Sequence, residues 1–134
     1  PVPNLRGALP SAVEDTLREA FPRALQRVRE VASCRSLFEE FVVSGNQRLT
    51  STLYVPPNVS RTDDSCTRGA LAFTHVGSSI THLCAGFGAL SLDQATIVLI
   101  HEALHYAGME EAPFYDGART SKEINELVRD HCGF

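Results

Sequence analysis

The chain has 134 residues, 43% of them hydrophobic and 21% charged, with a formal net charge of −4. That is the size of one domain, and a chain of this length buries about two-thirds of its unfolded surface, enough for a core. The acidic balance gives no electrostatic reason to expect nucleic acid or an anionic membrane as partner, and no run approaches the ~18 apolar residues of a membrane span.

Residues 1–10 hold three Pro and a Gly and predict an extended arm. The chain begins Pro1-Val2-Pro3 rather than with Met, which fits a removed leader or a trimmed end. Ser11-Ala12-Val13-Glu14 has the S-x-x-E form of a capping box and predicts a helix start. Val13, Leu17, Ala20, Phe21, Ala24, Leu25, Val28 and Val31 then follow helical spacing. Pro22 interrupts this stripe and is expected to kink or split the helix. Leu37, Phe38 and Phe41 continue the apolar face, and Ser44-Gly45-Asn46 is a stop signal.

Leu49 to Val55 alternates, is rich in β-formers, and predicts a strand. Residues 56–68 are polar and Pro-containing and predict a long loop; Asn58-Val59-Ser60 within it fits a glycosylation sequon, a pattern common by chance. Ala70–His75 and Ser79–Cys84 predict two strands around a turn at Val76-Gly77-Ser78. Ala85–Leu90 is a Gly-containing connector.

Ser91-Leu92-Asp93-Gln94 is a second capping box, and the helix it opens is predicted to run to Ala107, with Gly108 as its left-handed cap. This helix is apolar nearly all round, which predicts burial. Residues 109–119 predict a loop. Thr120-Ser121-Lys122-Glu123 is a third capping box, opening a last helix to about Asp130. The expected architecture is therefore α+β: N-terminal helices, a short antiparallel sheet, a buried helix and a C-terminal helix in a single domain spanning 1–134.

The four Cys, at 34, 66, 84 and 132, lack the C-x-x-C spacing of zinc ribbons or thioredoxin-like sites. Two disulfides in an exported protein are expected, with four buried thiols of a reduced core as the alternative. Cys66 and Cys84 flank the predicted hairpin and are paired on that ground, leaving Cys34 with Cys132.

The buried helix carries the chemical puzzle. His101, Glu102 and His105 lie within the otherwise uncharged run Val98–Gly108. Burying a polar group without a partner costs roughly 2–7 kcal/mol on transfer scales. Residues i and i+4 share a helix face, so His101 and His105 can aim ring nitrogens at one point. A Zn²⁺ ion bound there offsets the cost of burial. Glu102 lies beside the first ligand, where it can accept a proton from water at the metal. The spacing is the H-E-x-x-H motif; a bare match is weak, but this one lies inside a capped, apolar helix. Two satisfied core histidines with a nearby Glu are the bland alternative.

Val98–Ala107 resembles the active-site signature of the zincin metallopeptidases. The resemblance implies zinc ligation by His101 and His105 and general acid–base catalysis by Glu102. Beyond these residues it extends only to the order of elements. Residues 101–111 read H-E-x-x-H-x-x-G-x-x-E and resemble the extended metzincin pattern, which implies Glu111 as third ligand after a sharp turn. Gly108 supplies that turn physically, since it adopts positive φ without penalty. The departures are a Glu where metzincins carry His or Asp, and the lack of a Met-turn, Met109 lying inside the motif. Asn125–Asp130 resembles the glutamate helix of thermolysin-like gluzincins, which implies Glu126 as the runner-up third ligand and Asp130 as an orienting group. Glu123 and Asp116 are weaker candidates.

The expected function is zinc-dependent hydrolysis of peptide bonds, by an endopeptidase rather than an exopeptidase, in a secreted or periplasmic monomer acting on peptide or protein substrates. His131, Tyr106, Tyr115, His75 and His82 stay open as oxyanion stabilisers. The Ser79–Cys84 strand is expected to pair with extended substrate, and the 1–10 arm is a candidate latency device. The rival reading is an exported zinc-binding or disulfide-stabilised interaction module without turnover.

Overall fold

Apolar spacing along residues 11–30 builds one long helix, α1 (Ser11–Glu30), in a computed structural model that describes residues 1–57 and 64–134. Its inward face buries seven apolar residues from Val13 to Val28. A mid-helix Pro costs ~3 kcal/mol, and burying each of the larger apolar side chains returns ~1.5–3. Pro22 itself is exposed, and the helix runs through it unbroken. The break falls instead at Val31, extended at φ −92° and ψ 108°. The predicted capping box does not form: Pro10 occupies the cap position, Ser11 is already helical, and Glu14 pairs with Arg18 at 3.0 Å.

Helix α2 (Ala32–Glu39) follows, burying Cys34, Leu37 and Phe38. The stop signal at Ser44 turns out to be a start as well. Ser44 caps α3 (Gly45–Ser51), its hydroxyl accepting from the Gln47 N–H. Only Leu53–Val55 of the predicted 49–55 strand is extended. Alternation over so short a run was misleading because Leu49 is drawn inward as a helical residue, fully buried. Gly45 lets α3 approach α1 and α2 closely; a Cβ there would stand 2.8 Å from the Phe38 ring.

The sheet contains β1 (Asn4–Leu5), β2 (Leu53–Val55), β3 (Ala72–Phe73) and β4 (Ile80–Leu83), in the order β1-β2-β4-β3. The expected all-antiparallel sheet is in fact mixed. The β3–β4 hairpin is antiparallel around its predicted turn, but β1–β2 and β2–β4 are parallel. Three helices separate β1 from β2, and such a crossover permits the parallel pairing that a tight turn forbids. The N-terminal arm thus ends up as an edge strand on β2.

After a 3-10 turn at Ala85–Ala89, α4 (Leu92–Ala107) passes through the centre of the molecule, packed on α1, α3 and α5 (Ser121–Cys132). The α+β architecture is as expected. So are both disulfides, Cys34–Cys132 and Cys66–Cys84. The sequon at 58–60 lies outside the described residues.

Candidate metal centre

Local chemistry explains why α4 begins and ends where it does. Ser91 and Gln94 form a reciprocal capping box, satisfying two of the amide groups a helix start leaves open. Gly108 ends the helix at φ +125°, its N–H bonding back to the carbonyls of Leu104 and His105. No side chain favours that backbone conformation, so Gly is what permits the turn. Between these caps, all residues from Ala95 to His105 are buried, His101, Glu102 and His105 included, at 4%, 5% and 5% exposure.

The buried histidines are compensated on one side by ordinary hydrogen bonds. His101 Nδ1–H donates to Asn125 Oδ1 on α5 at 2.6 Å. His105 Nδ1–H donates to the Met109 carbonyl at 2.7 Å. In a neutral ring that leaves each Nε2 as the lone-pair nitrogen. The two Nε2 atoms are 3.1 Å apart, and Glu111 Oε1 is 3.1 Å from each. Three lone-pair donors at such separations repel one another unless a proton or a cation lies among them.

The protonation equilibria reflect this. Burial alone would lower the His105 pKa, but its hydrogen bond to Glu111 and the charge of Glu102 outweigh that and raise it. Burial alone would raise the Glu111 carboxyl; its contacts with His101 and His105 outweigh that and hold it down at about 2. Glu111 is fixed from its backbone as well. Its carbonyl accepts the Tyr115 N–H at 3.1 Å, and the loop is closed by the Ala112 N–H to Arg119 carbonyl bond at 2.8 Å.

Glu102 completes the group. The metal-ligating atoms of His101, Glu102 and His105 lie within 4.8 Å of one another. Glu102 Oε2 is 3.9 Å from His101 Nε2, and Glu102 Oε1 is buried with no hydrogen-bond partner among the described residues. The group opens into a cavity of about 720 Å³. Its far wall is the edge strand β3 and the 64–70 turn, which Cys66–Cys84 ties to the end of β4. The Gly77 N–H bonds the His105 carbonyl at 2.9 Å, joining the β3–β4 turn to the end of α4.

Several residues nominated by the sequence stand elsewhere. Glu126 is exposed and faces Lys122 at 3.9 Å. Glu123 is engaged in the Thr120 cap, and Asp116 and Asp130 are exposed. Of the possible oxyanion groups, His75 and Tyr115 line the cavity. Tyr106 bonds Ser51, His82 stacks on Phe73 at 4.4 Å, and His131 bonds the Leu127 carbonyl, all away from the cavity. The β4 strand is paired on both sides and offers no free edge; β3 is the strand with an edge beside the cavity. Residues 1–10 line no part of it, which removes the arm as its cover.

Sequence reasoning missed Asn125 and the Met109 carbonyl. The stripe Ile124, Val128 and Cys132 marks the buried face of α5 and is the signal that would have found Asn125. Comparison with family models, with curated proteins and with solved structures returned no match.

Proposed function

We propose that the chain is a zinc metallopeptidase, with His101, His105 and Glu111 as ligands and Glu102 as general base. One observation carries this reading: two imidazole nitrogens and a carboxylate oxygen converge at 3.1 Å beside a buried carboxylate oxygen that lacks a partner among the described residues. Donors in tetrahedral coordination at ~2.0–2.1 Å from zinc stand about 3.3 Å apart, so the donor set fits. His₂Glu is also the donor set of a catalytic rather than a closed structural zinc site.

Zinc held there would supply a Lewis acid that brings a water's pKa to about 7 and polarises the scissile carbonyl. The chain's own residues do the rest. Glu102 Oε1 accepts one proton of the attacking water as its oxygen bonds the carbonyl carbon. Glu102 then passes that proton to the amine nitrogen as the C–N bond breaks. Asn125 and the Met109 carbonyl hold the two imidazoles with Nε2 inward. The outer edge of β3, unpaired by any strand among the described residues, can pair with an extended peptide. Arg68 and Asp64, which line the same cavity, pair with each other at 2.9 Å. Neither charge is therefore dedicated to a chain terminus, which favours internal cleavage. The two disulfides favour an oxidising compartment as the place of action.

The test is metal analysis with three variants. Wild-type protein should hold one zinc ion and cleave a mixture of denatured proteins. Glu111→Ala should lose zinc, and Glu126→Ala should keep it. Glu102→Gln should keep zinc and lose turnover by ~10²–10⁴-fold. Zinc retained in Glu111→Ala but lost in Glu126→Ala would move the third ligand to α5. Stoichiometric zinc with no cleavage would leave a zinc-binding module.

A further inference from the structure

We infer that the cavity beside the metal centre selects substrates by a large apolar side chain, best an aromatic one, packed on Phe114 and Tyr115; this deepens the metallopeptidase reading and rests on it. The exposed large hydrophobic residues among those described are Val2, Val42, Ile80, Leu92, Phe114 and Tyr115. Only Phe114 and Tyr115 are adjacent and aromatic, and both line this cavity. Phe114 is 77% exposed. Scattered exposed apolar residues are ordinary, but an apolar patch at the lip of a cavity marks a surface that a ligand covers.

The patch is also held in register with the chemistry. Tyr115 donates its backbone N–H to the carbonyl of Glu111, so the aromatic pair is tied to the residue whose carboxylate meets the two imidazoles. A peptide lying along β3 with its scissile bond at Glu102 would bring a neighbouring side chain toward this pair. The wall it would meet continues the same chemistry through Leu71, Ala72 and Val98.

Charge argues against the other classes of side chain. Arg68 is the only Arg or Lys among the described residues lining the cavity, and Asp64 already neutralises it. Among the described residues an acidic side chain would find no unpaired Lys or Arg there, and it would approach the Glu102 carboxylate. The cavity therefore disfavours acidic residues by charge and favours aromatic ones by apolar contact.

The test uses binding rather than turnover. Two dipeptide hydroxamates, identical except for a benzyl or a carboxymethyl side chain, are titrated calorimetrically into zinc-loaded protein. The benzyl compound should bind at least ~10-fold more tightly to wild type. Phe114→Ala should narrow that ratio to within about 3-fold by weakening the benzyl compound alone, and Phe114→Leu should restore part of it. Phe114 is exposed, so its replacement leaves the core intact. Equal affinities in wild type, a preference that survives Phe114→Ala, or no binding by zinc-containing protein would overturn the aromatic subsite while leaving the metal assignment standing. Failure of stripped protein to take zinc back up would overturn the metal assignment, and this inference with it.

Discussion

Glu102 Oε1 and Asn125 Oδ1 show how much a single atom can tell. The first is buried and lacks a partner among the described residues, a situation that costs ~1–3 kcal/mol or more for a charged group. On the proposed reading, a water bonded to this oxygen would offset that cost. The second accepts the Nδ1–H of His101 and so sets which ring nitrogen faces Glu111. Asn125→Ala should weaken zinc binding ~10–100-fold, as loss of an outer partner of a ligand typically does. Asn125→Asp, which keeps the acceptor, should restore it; competition with a chromogenic chelator reads both. Unchanged affinity in Asn125→Ala would mean that α4 alone orients the ring. The sequence shows Asn125 and Glu126 side by side, and the latter looks the better ligand. A helix turns ~100° per residue, so the two point differently. Ile124, Val128 and Cys132 occupy the inward face, and Asn125 is one step from Ile124 where Glu126 is two.

At the scale of elements, α4 and α5 were legible because their ends are local chemistry. Both predicted capping boxes form, and both helices end on a Gly at positive φ. Thr120→Ala should destabilise the protein by ~0.5–2 kcal/mol, measured by urea denaturation. Its partner adds a pH dependence. The Glu123 carboxyl is held below its ordinary value of 4.5, first by the backbone N–H of Thr120. A carboxyl lowered on folding contributes stability above its unfolded pKa and loses it as pH falls through the folded one. The stability gap between wild type and Glu123→Gln should therefore be constant near neutrality and shrink below about pH 4.5. A gap independent of pH would show that the charge plays no part. The failures at this scale have two causes. The Ser11 box is lost locally, because Pro10 takes the cap position and Glu14 pairs with Arg18, whereas the Pro22 break and the 49–55 strand were local preferences overruled by packing, of the buried face of α1 and of Leu49.

Across the whole molecule, the two disulfides do different work. Cys34–Cys132 joins residues 98 apart and ties α2 to α5, with both cysteines fully buried. Cys66–Cys84 spans 18 residues and holds the outer wall of the cavity. On loop entropy, opening the longer link should cost ~4–5 kcal/mol and the shorter about 3. Paired Ser variants, compared by denaturant midpoint, should rank that way. Their pairing was legible, since a predicted hairpin left one partition of four Cys. The helical phase that stacks His101 over His105, the caps of α4 and α5, and the turn at Gly108 were likewise determined by the sequence alone. Each depends on residues within about one helical turn, where backbone geometry leaves few choices. Only the tertiary structure decided that Glu111 rather than Glu126 meets the two imidazoles, that Asn125 backs one of them, that the sheet is mixed, and that β3 rather than β4 offers the edge beside the cavity. Those outcomes depend on how distant segments share a buried surface, a sum of many weak contacts that no short stretch of chain contains.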